Sequence, residues 1–298
     1  MAKILYIAGY GHSGSTLYGI ILGSAPGHLN LGEMRRIGNR KGATRINRPY
    51  RNIELERARV GLQQCIADAG DDLWLVAELE SIFSIFVRNV REKVQRYDRF
   101  WKAVFDIVEH ETEADVLVDS SKTAWGQIER PRLLQNSGHD VYVLHLVKYP
   151  QALVSSRWRR KGPRHGIQSL LGWSLTNWLT WRRYRAWGSR YMISVYDDLA
   201  RDPENELGEI GRFIGADLLP AAVHLQSELG FDPGLQIGGN AAGRHEKVFW
   251  KPKLKCQQDA PVISEYVGAA GTPLFWYLNI QREKQRQIKS ASVKQSRR

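Results

Sequence analysis

The sequence predicts an α/β fold, a P-loop-like parallel sheet flanked by helices in a single domain. Three observations predict it. Short apolar runs alternate with segments of helical period, one run ends in a glycine-rich turn that opens a helix, and no linker divides the chain. At 298 residues, 43% of them hydrophobic, the chain is long enough to bury one large core.

The elements follow in order. KILYIA, residues 3–8, is short and apolar, as a buried parallel strand should be. STLYGIILG, residues 15–23, is the helix after it. Residues 35–51 are rich in Gly, Asn and Arg without an apolar period, which predicts a loop. From Ile53 to about His110 apolar residues recur at helical spacing, for example Val76, Leu79, Phe83 and Phe86. DVLVD (115–119), VYVLHLV (141–147) and YMISVY (191–196) are the second, third and fourth strands. Helices are expected from Ala152 to Trp158, from Leu170 to Trp187, and over 204–214 behind Asp202-Pro203. The folded domain spans 1–280. Residues 281–298, with seven Lys/Arg and one Glu, read as a basic disordered tail.

Charge and cysteine content narrow the function classes. The net charge is +12. No acid lies between Glu33 and Glu54, where seven Arg/Lys occur, and none between Asp140 and Asp197, where ten occur. Such zones suit a polyanionic small ligand, an acidic acceptor or a nucleic acid, or are simply a basic surface. The two cysteines, Cys65 and Cys256, form no CxxC pair, so neither a zinc site nor a disulfide framework is expected. No run of about 18 apolar residues is present. A soluble, cytoplasmic protein without a transmembrane segment is the expectation.

The segment Gly9-Tyr-Gly-His-Ser-Gly-Ser-Thr16 has the spacing of a phosphate-binding loop, with Ser15 where the lysine would stand. Gly9, Gly11 and Gly14 allow the backbone to curl its N–H groups inward, the following helix adds positive potential, and Ser13, Ser15 and Thr16 add hydroxyls. Without the lysine, and with Asp119 followed by Ser-Ser-Lys, the loop lacks the parts of a magnesium-dependent triphosphate enzyme.

These residues resemble the sulfotransferases that use 3'-phosphoadenosine 5'-phosphosulfate (PAPS), in particular the bacterial, carbohydrate and tyrosylprotein branch. The family's 5'-phosphosulfate loop has the form [KR]SG[ST][ST], and here it reads His12-Ser13-Gly14-Ser15-Thr16. The family's 3'-phosphate element is a strand ending in a basic residue, a proline turn and a helix with a serine eight positions on. Lys148, Pro150 and Ser156 stand at that spacing. Further family-like stretches are VDSSK (118–122), VYDDL (195–199) and GGNAAGRHEK (238–247), so the resemblance covers about residues 3–250. Two departures stand out. His12 replaces Lys or Arg, and Lys148-Tyr149 replaces the commoner Arg-Asp, which loses the bidentate fork.

The resemblance implies transfer of a sulfuryl group from PAPS to a hydroxyl or amine of a small-molecule, glycan or lipid acceptor. PAPS would be co-substrate, with no metal and no specific nucleic acid. It implies binding of PAPS through Gly11, His12, Ser13, Gly14, Ser15, Thr16, Lys148, Ser156, Tyr196 and Arg244. Catalysis would fall to Glu33 as base, to His12 and to Lys122 on the bridging or sulfuryl oxygens. For Glu33 the alternative is an ion pair with Arg35 or Arg36, for Lys122 a solvated loop lysine, and for Tyr196 a core tyrosine. His145, within an apolar strand, is expected in the core, and His165 and His245 are the remaining histidine alternatives. Trp173, Trp178 and Trp181 recur at spacings that favour packing over acceptor binding. A P-loop kinase-like enzyme and a basic nucleic-acid-binding protein are the competing functional readings.

Overall fold

The structure, a computed structural model, describes residues 1–37, 50–70, 79–80, 90–123, 127–227, 229–238, 246–250 and 262–296. Five parallel strands form one sheet: β1 (Lys3–Ala8), β2 (His28–Gly32), β3 (Val116–Asp119), β4 (Asp140–Val147) and β5 (Tyr191–Val195). Their order is β2-β3-β1-β4-β5, with β1 at the centre. Alternation along β1 sends its side chains to two cores. Ile4, Tyr6 and Ala8 face one, and Leu5 and Ile7 face the other.

The helices are α1 (Ser15–Gly23), α2 (Ile53–Ala69), α3 (Val90–Thr112), α4 (Arg130–Asn136), α5 (Pro150–Lys161), α6 (Pro163–Tyr184), α7 (Tyr196–Arg201), α8 (Pro203–Ile214), α9 (Leu219–Gln226), α10 (Val262–Ala269) and α11 (Thr272–Ser296). Helices α2, α3, α5 and α6 contribute to the core under one face, while α1, α8 and α9 cover the other. Caps account for several boundaries. The Asn52 side chain accepts the N–H groups of Glu54 and Leu55 at 2.8 and 3.0 Å, and Gly70 ends α2 with φ 52°.

The four expected strands are present, each shifted by a residue at most, and β2 is an additional one. HLNLG has five residues, two of them polar, and no β-branched side chain, so neither period nor propensity marks it. Pairing with β3 makes it a strand. The long helical segment divides into α2 and α3, with most of 71–89 and of the 35–51 loop outside the described residues. The expected disordered tail is corrected here, since residues 281–296 continue α11. Buried Arg282 pairs with Asp198 and with Glu206, the latter at 2.6 Å, and Arg286 reaches Glu206 at 3.1 Å. A basic stretch that meets one buried and one half-buried carboxylate gains partners that composition does not reveal. Among the described residues no helix is long and apolar enough to cross a membrane.

Because β1 leads out to β2 on one side while β4 and β5 lie on the other, the strand order reverses beside β1. A crevice at the carboxyl ends of such strands is where α/β sheets bind ligands.

Candidate active site

The loop after β1 lies at that crevice. Gly9 has φ 126° and Gly14 φ 95°, both in the left-handed region. Gly14 also lies against the Tyr196 ring, where a Cβ would come within 2.3 Å. Gly11 is different: its φ is not positive and a Cβ would meet nothing within 4 Å, so the curl rests on Gly9 and Gly14. The first turn of α1 leaves N–H groups without intrahelical partners. Around it the buried hydroxyls of Ser13 and Ser15, and of Ser120 at the end of β3, have no hydrogen-bond partner. Buried orphan hydroxyls at a helix N-terminus are the arrangement an anionic oxygen would complete. Thr16 is half-buried beside them.

His12 stands at the rim in the left-handed region, φ 68°. The residue as a whole is exposed, but loss of water around the ring, with the charges of Arg157, Lys122, Arg160 and Lys161, pushes its imidazole down to about 4. At neutral pH His12 is therefore uncharged, and what its ring can offer is a hydrogen bond rather than a positive charge. The cations that supply positive charge around it come largely from α5. Sequence reasoning placed Arg157, Arg160 and Lys161 in a basic zone without assigning them to the site.

Glu33 follows β2 and is buried. Its backbone N–H donates to the Ile237 carbonyl at 2.6 Å, and its carboxylate accepts from Lys122 Nζ and Arg36 Nε. Burial alone would raise this carboxyl. The ammonium of Lys122 and the guanidinium of Arg36 outweigh it and hold Glu33 below its ordinary value. The two candidate catalytic residues, 89 positions apart, thus touch, and the anticipated ion pair with Arg36 forms as well. Burial drives the Lys122 ammonium below its usual range, with Glu33 opposing.

Lys122 is a fixed part of this rim rather than a solvated loop residue. It too has a left-handed backbone, φ 67°. Its N–H donates to Ile7 O at 3.2 Å, and its carbonyl accepts from the Tyr6 hydroxyl. Thr123 clasps the loop from the same side, through Gly9 N to its Oγ1 at 3.1 Å. Underneath, Asp119 holds the segment. Its Oδ1 accepts from Ser121 N at 2.9 Å and from the Ser121 hydroxyl, which in turn accepts from Arg35 N at 3.0 Å. Its Oδ2 accepts from Arg130 Nη2 at 2.9 Å, and Arg130 also reaches Glu80 at 2.6 Å. Asp119 is committed to this scaffold. Neither Arg130 nor Ser121 was anticipated: Arg130 meets Asp119 and Glu80 from 11 and 50 positions away, and the Asp119–Ser121 turn forms within an ordinary polar stretch.

The second element begins at the end of β4. Lys148 Nζ lies 4.5 Å from the centroid of the Tyr196 ring, which itself contacts Gly14. Tyr196 therefore bridges the glycine loop to Lys148, and the two elements share one rim. Its ring has buried Tyr18 at 6.2 Å and half-buried Trp250 at 6.4 Å, an aromatic cluster in which Trp250 is an unanticipated member. Ser156 is half-buried on α5, while its neighbour Ser155 is buried against Ser264 at 3.2 Å. Arg244 and His245 lie outside the described residues. His145 is in the core. Its Nε2–H donates to Asn177 Oδ1 at 2.9 Å and its Nδ1 accepts from Tyr191 OH at 2.7 Å. His165 is exposed at the start of α6. Trp173 is buried and Trp181 packs on the core, whereas Trp178 is exposed.

No protein-family model matches the chain, and no curated protein matches it. Among solved structures, the sulfotransferase domain of the Synechococcus PCC 7002 olefin synthase superposes with TM-score 0.53 at 18% identity, over 93% of this chain and 95% of that one. The sulfotransferase domain from the curacin biosynthetic pathway gives 0.48 at 16%, over 92% and 98%. Sulfotransferase STF1 from Mycobacterium tuberculosis H37Rv gives 0.47 at 14%, over 75% and 71%. Along nearly its whole length, the chain has the sulfotransferase fold.

Proposed function

We propose that the protein transfers a sulfuryl group from PAPS to a hydroxyl or amine of a small-molecule, glycan or lipid acceptor. The observation that carries this reading is the set of orphan hydroxyls, Ser13 and Ser15, at the N-terminus of α1, on the rim shared with the Glu33–Lys122 pair and Lys148.

In this reading the loop N–H groups and Ser13, Ser15 and Thr16 hold the 5'-phosphate. Lys148 and Ser156 take the 3'-phosphate, with the Tyr196–Trp250 cluster beside the adenine. The acceptor oxygen forms a bond to sulfur while the bond from sulfur to the phosphate oxygen breaks, and the electron pair leaves with adenosine 3',5'-bisphosphate. The acceptor proton goes to Glu33. Neutral His12 donates a hydrogen bond toward the bridging oxygen, and Lys122 answers the charge on the sulfuryl oxygens. When Lys122 turns toward the sulfuryl group, Glu33 loses one of its two cations and becomes a stronger base. Donor binding and base activation are thereby coupled. The engagement of both Asp119 oxygens weighs against the magnesium-nucleotide alternative.

The test is calorimetric titration of the folded protein with adenosine 3',5'-bisphosphate and with ATP plus magnesium, followed by assay of bisphosphate release from PAPS with a panel of acceptors. Binding of the bisphosphate alone is expected. A folded protein that binds ATP with magnesium and ignores the bisphosphate would refute the assignment.

A further inference from the structure

The outer face of α6 carries an apolar strip. Ile167, Leu171, Leu175 and Trp178 are 46, 65, 57 and 40% exposed. At 100° per residue these four positions fall within an arc of about 80°. The inner face of the same helix is the one that packs: Trp173 and Asn177 are buried, and Gly172 lies against the Tyr10 ring of the glycine loop. Exposed Arg164 and Arg182 occupy the same arc at its two ends, about 27 Å apart along the axis. The Arg182 guanidinium lies 5.3 Å from the Trp178 ring centroid.

The strip is not isolated. Trp276 and Ile280 are exposed on α11, whose Tyr277 ring meets Trp181 of α6 at 5.1 Å. Tyr266 is exposed on α10, which packs on α5 and α6. A monomer seldom leaves so many large apolar side chains in one neighbourhood uncovered. On α6 itself the charge has one sign, because the sequence has no acid between Asp140 and Asp197, whereas Glu265 lies on α10 and exposed Glu283 on α11.

That charge pattern selects the occupant. A second copy paired about a two-fold axis would set Arg164 against Arg164 in a parallel arrangement, or against Arg182 in an antiparallel one. Either is repulsive. The apolar side chains also protrude from three helices rather than lining a groove, which suits a broad deformable surface better than a single partner helix. We propose that this face docks on an anionic lipid bilayer. The α6 strip would enter the boundary between headgroups and acyl chains, and Arg164 and Arg182 would meet the headgroup phosphates. The docking is peripheral and is independent of the sulfotransferase reading.

The experiment is co-sedimentation of the full chain with phosphatidylcholine vesicles, with or without roughly one-third phosphatidylserine. The wild type is expected to pellet with the anionic vesicles and to remain in solution with neutral ones, with binding weakening as salt rises from about 0.1 to 0.5 M. The double variant Leu171→Asp/Leu175→Asp should bind at least about tenfold more weakly with an unchanged Tm, since both positions are exposed. Should that variant not fold, Arg164→Gln/Arg182→Gln serves, with weaker binding and a smaller salt dependence expected. Wild type that ignores anionic vesicles overturns the proposal. So does binding undiminished in the folded variants, which would move it to the basic end of α11. A lipid-free dimer that Leu171→Asp/Leu175→Asp converts to monomer would also overturn it, in favour of a second copy.

Discussion

At the scale of single residues, the site is governed by how carboxylate, ammonium and imidazole groups share charge. Glu33 with two cations is a weak base in the free protein, and it gains basicity if Lys122 turns to another anion. The acid limb of kcat/KM, which reports the free protein, is therefore expected at lower pH than the acid limb of kcat, and a pH–rate series with PAPS checks the order. Glu33→Gln should lower kcat by about 10²-fold or more while leaving bisphosphate affinity within a few-fold, as read by assay and calorimetry. His145 belongs to stability. Burial pushes its imidazole down to about 4 from 6.5, so the unfolded chain takes up the proton first as pH falls. Its contribution is complete above pH 6.5 and is lost between 6.5 and 4, on the order of 3 kcal/mol. Tm should fall through that window, and His145→Gln should flatten the fall. The identities of these residues were legible in the sequence. Which cation met which carboxylate was not, because Lys122 reaches Glu33 only when β2 and β3 pair.

At the scale of elements, the glycine loop and α1 read correctly because their signals are local: a strand, two left-handed glycines and a helix start within 16 residues. The Ser120–Thr123 segment is different, since it is held from beneath by the Arg130–Asp119–Glu80 network. Arg130 is fully buried, with its guanidinium 3.8 Å from the Trp101 ring centroid. Arg130→Met would leave two buried carboxylates without their cation and should cost about 3–5 kcal/mol in denaturant unfolding. The residual folded protein should show a lower kcat, because Ser121 ties Asp119 to the backbone after Glu33. An unchanged midpoint would mean that the network contributes nothing net. β2 went unread because a five-residue edge strand without β-branched side chains depends on its neighbour for its conformation.

At the scale of the whole molecule, α11 closes the fold. Arg282 and Arg286 neutralise Glu206, which lies on the buried face of α8 and accepts from Ser194 at 2.7 Å. Arg282→Met should therefore destabilise the protein by about 3–5 kcal/mol, measured as a shift in the urea midpoint. A tail without structure would produce no shift. The net charge of +12 divides into parts with different fates. Some cations are consumed by buried carboxylates, some surround the glycine loop, and some border the exposed strip of α6.

The sequence by itself determined the alternation of strands and helices, the glycine turn that opens α1 and the strand–proline–helix element at Lys148–Ser156, because each is written within about 20 consecutive residues. Only the tertiary structure decided that Tyr196 joins those elements into one rim, that Glu33 and Lys122 form a pair, and that the last helix is anchored. The reason is that electrostatic and packing energies depend on distance in space. Residues 89 positions apart acquire an interaction only after the sheet has brought them together.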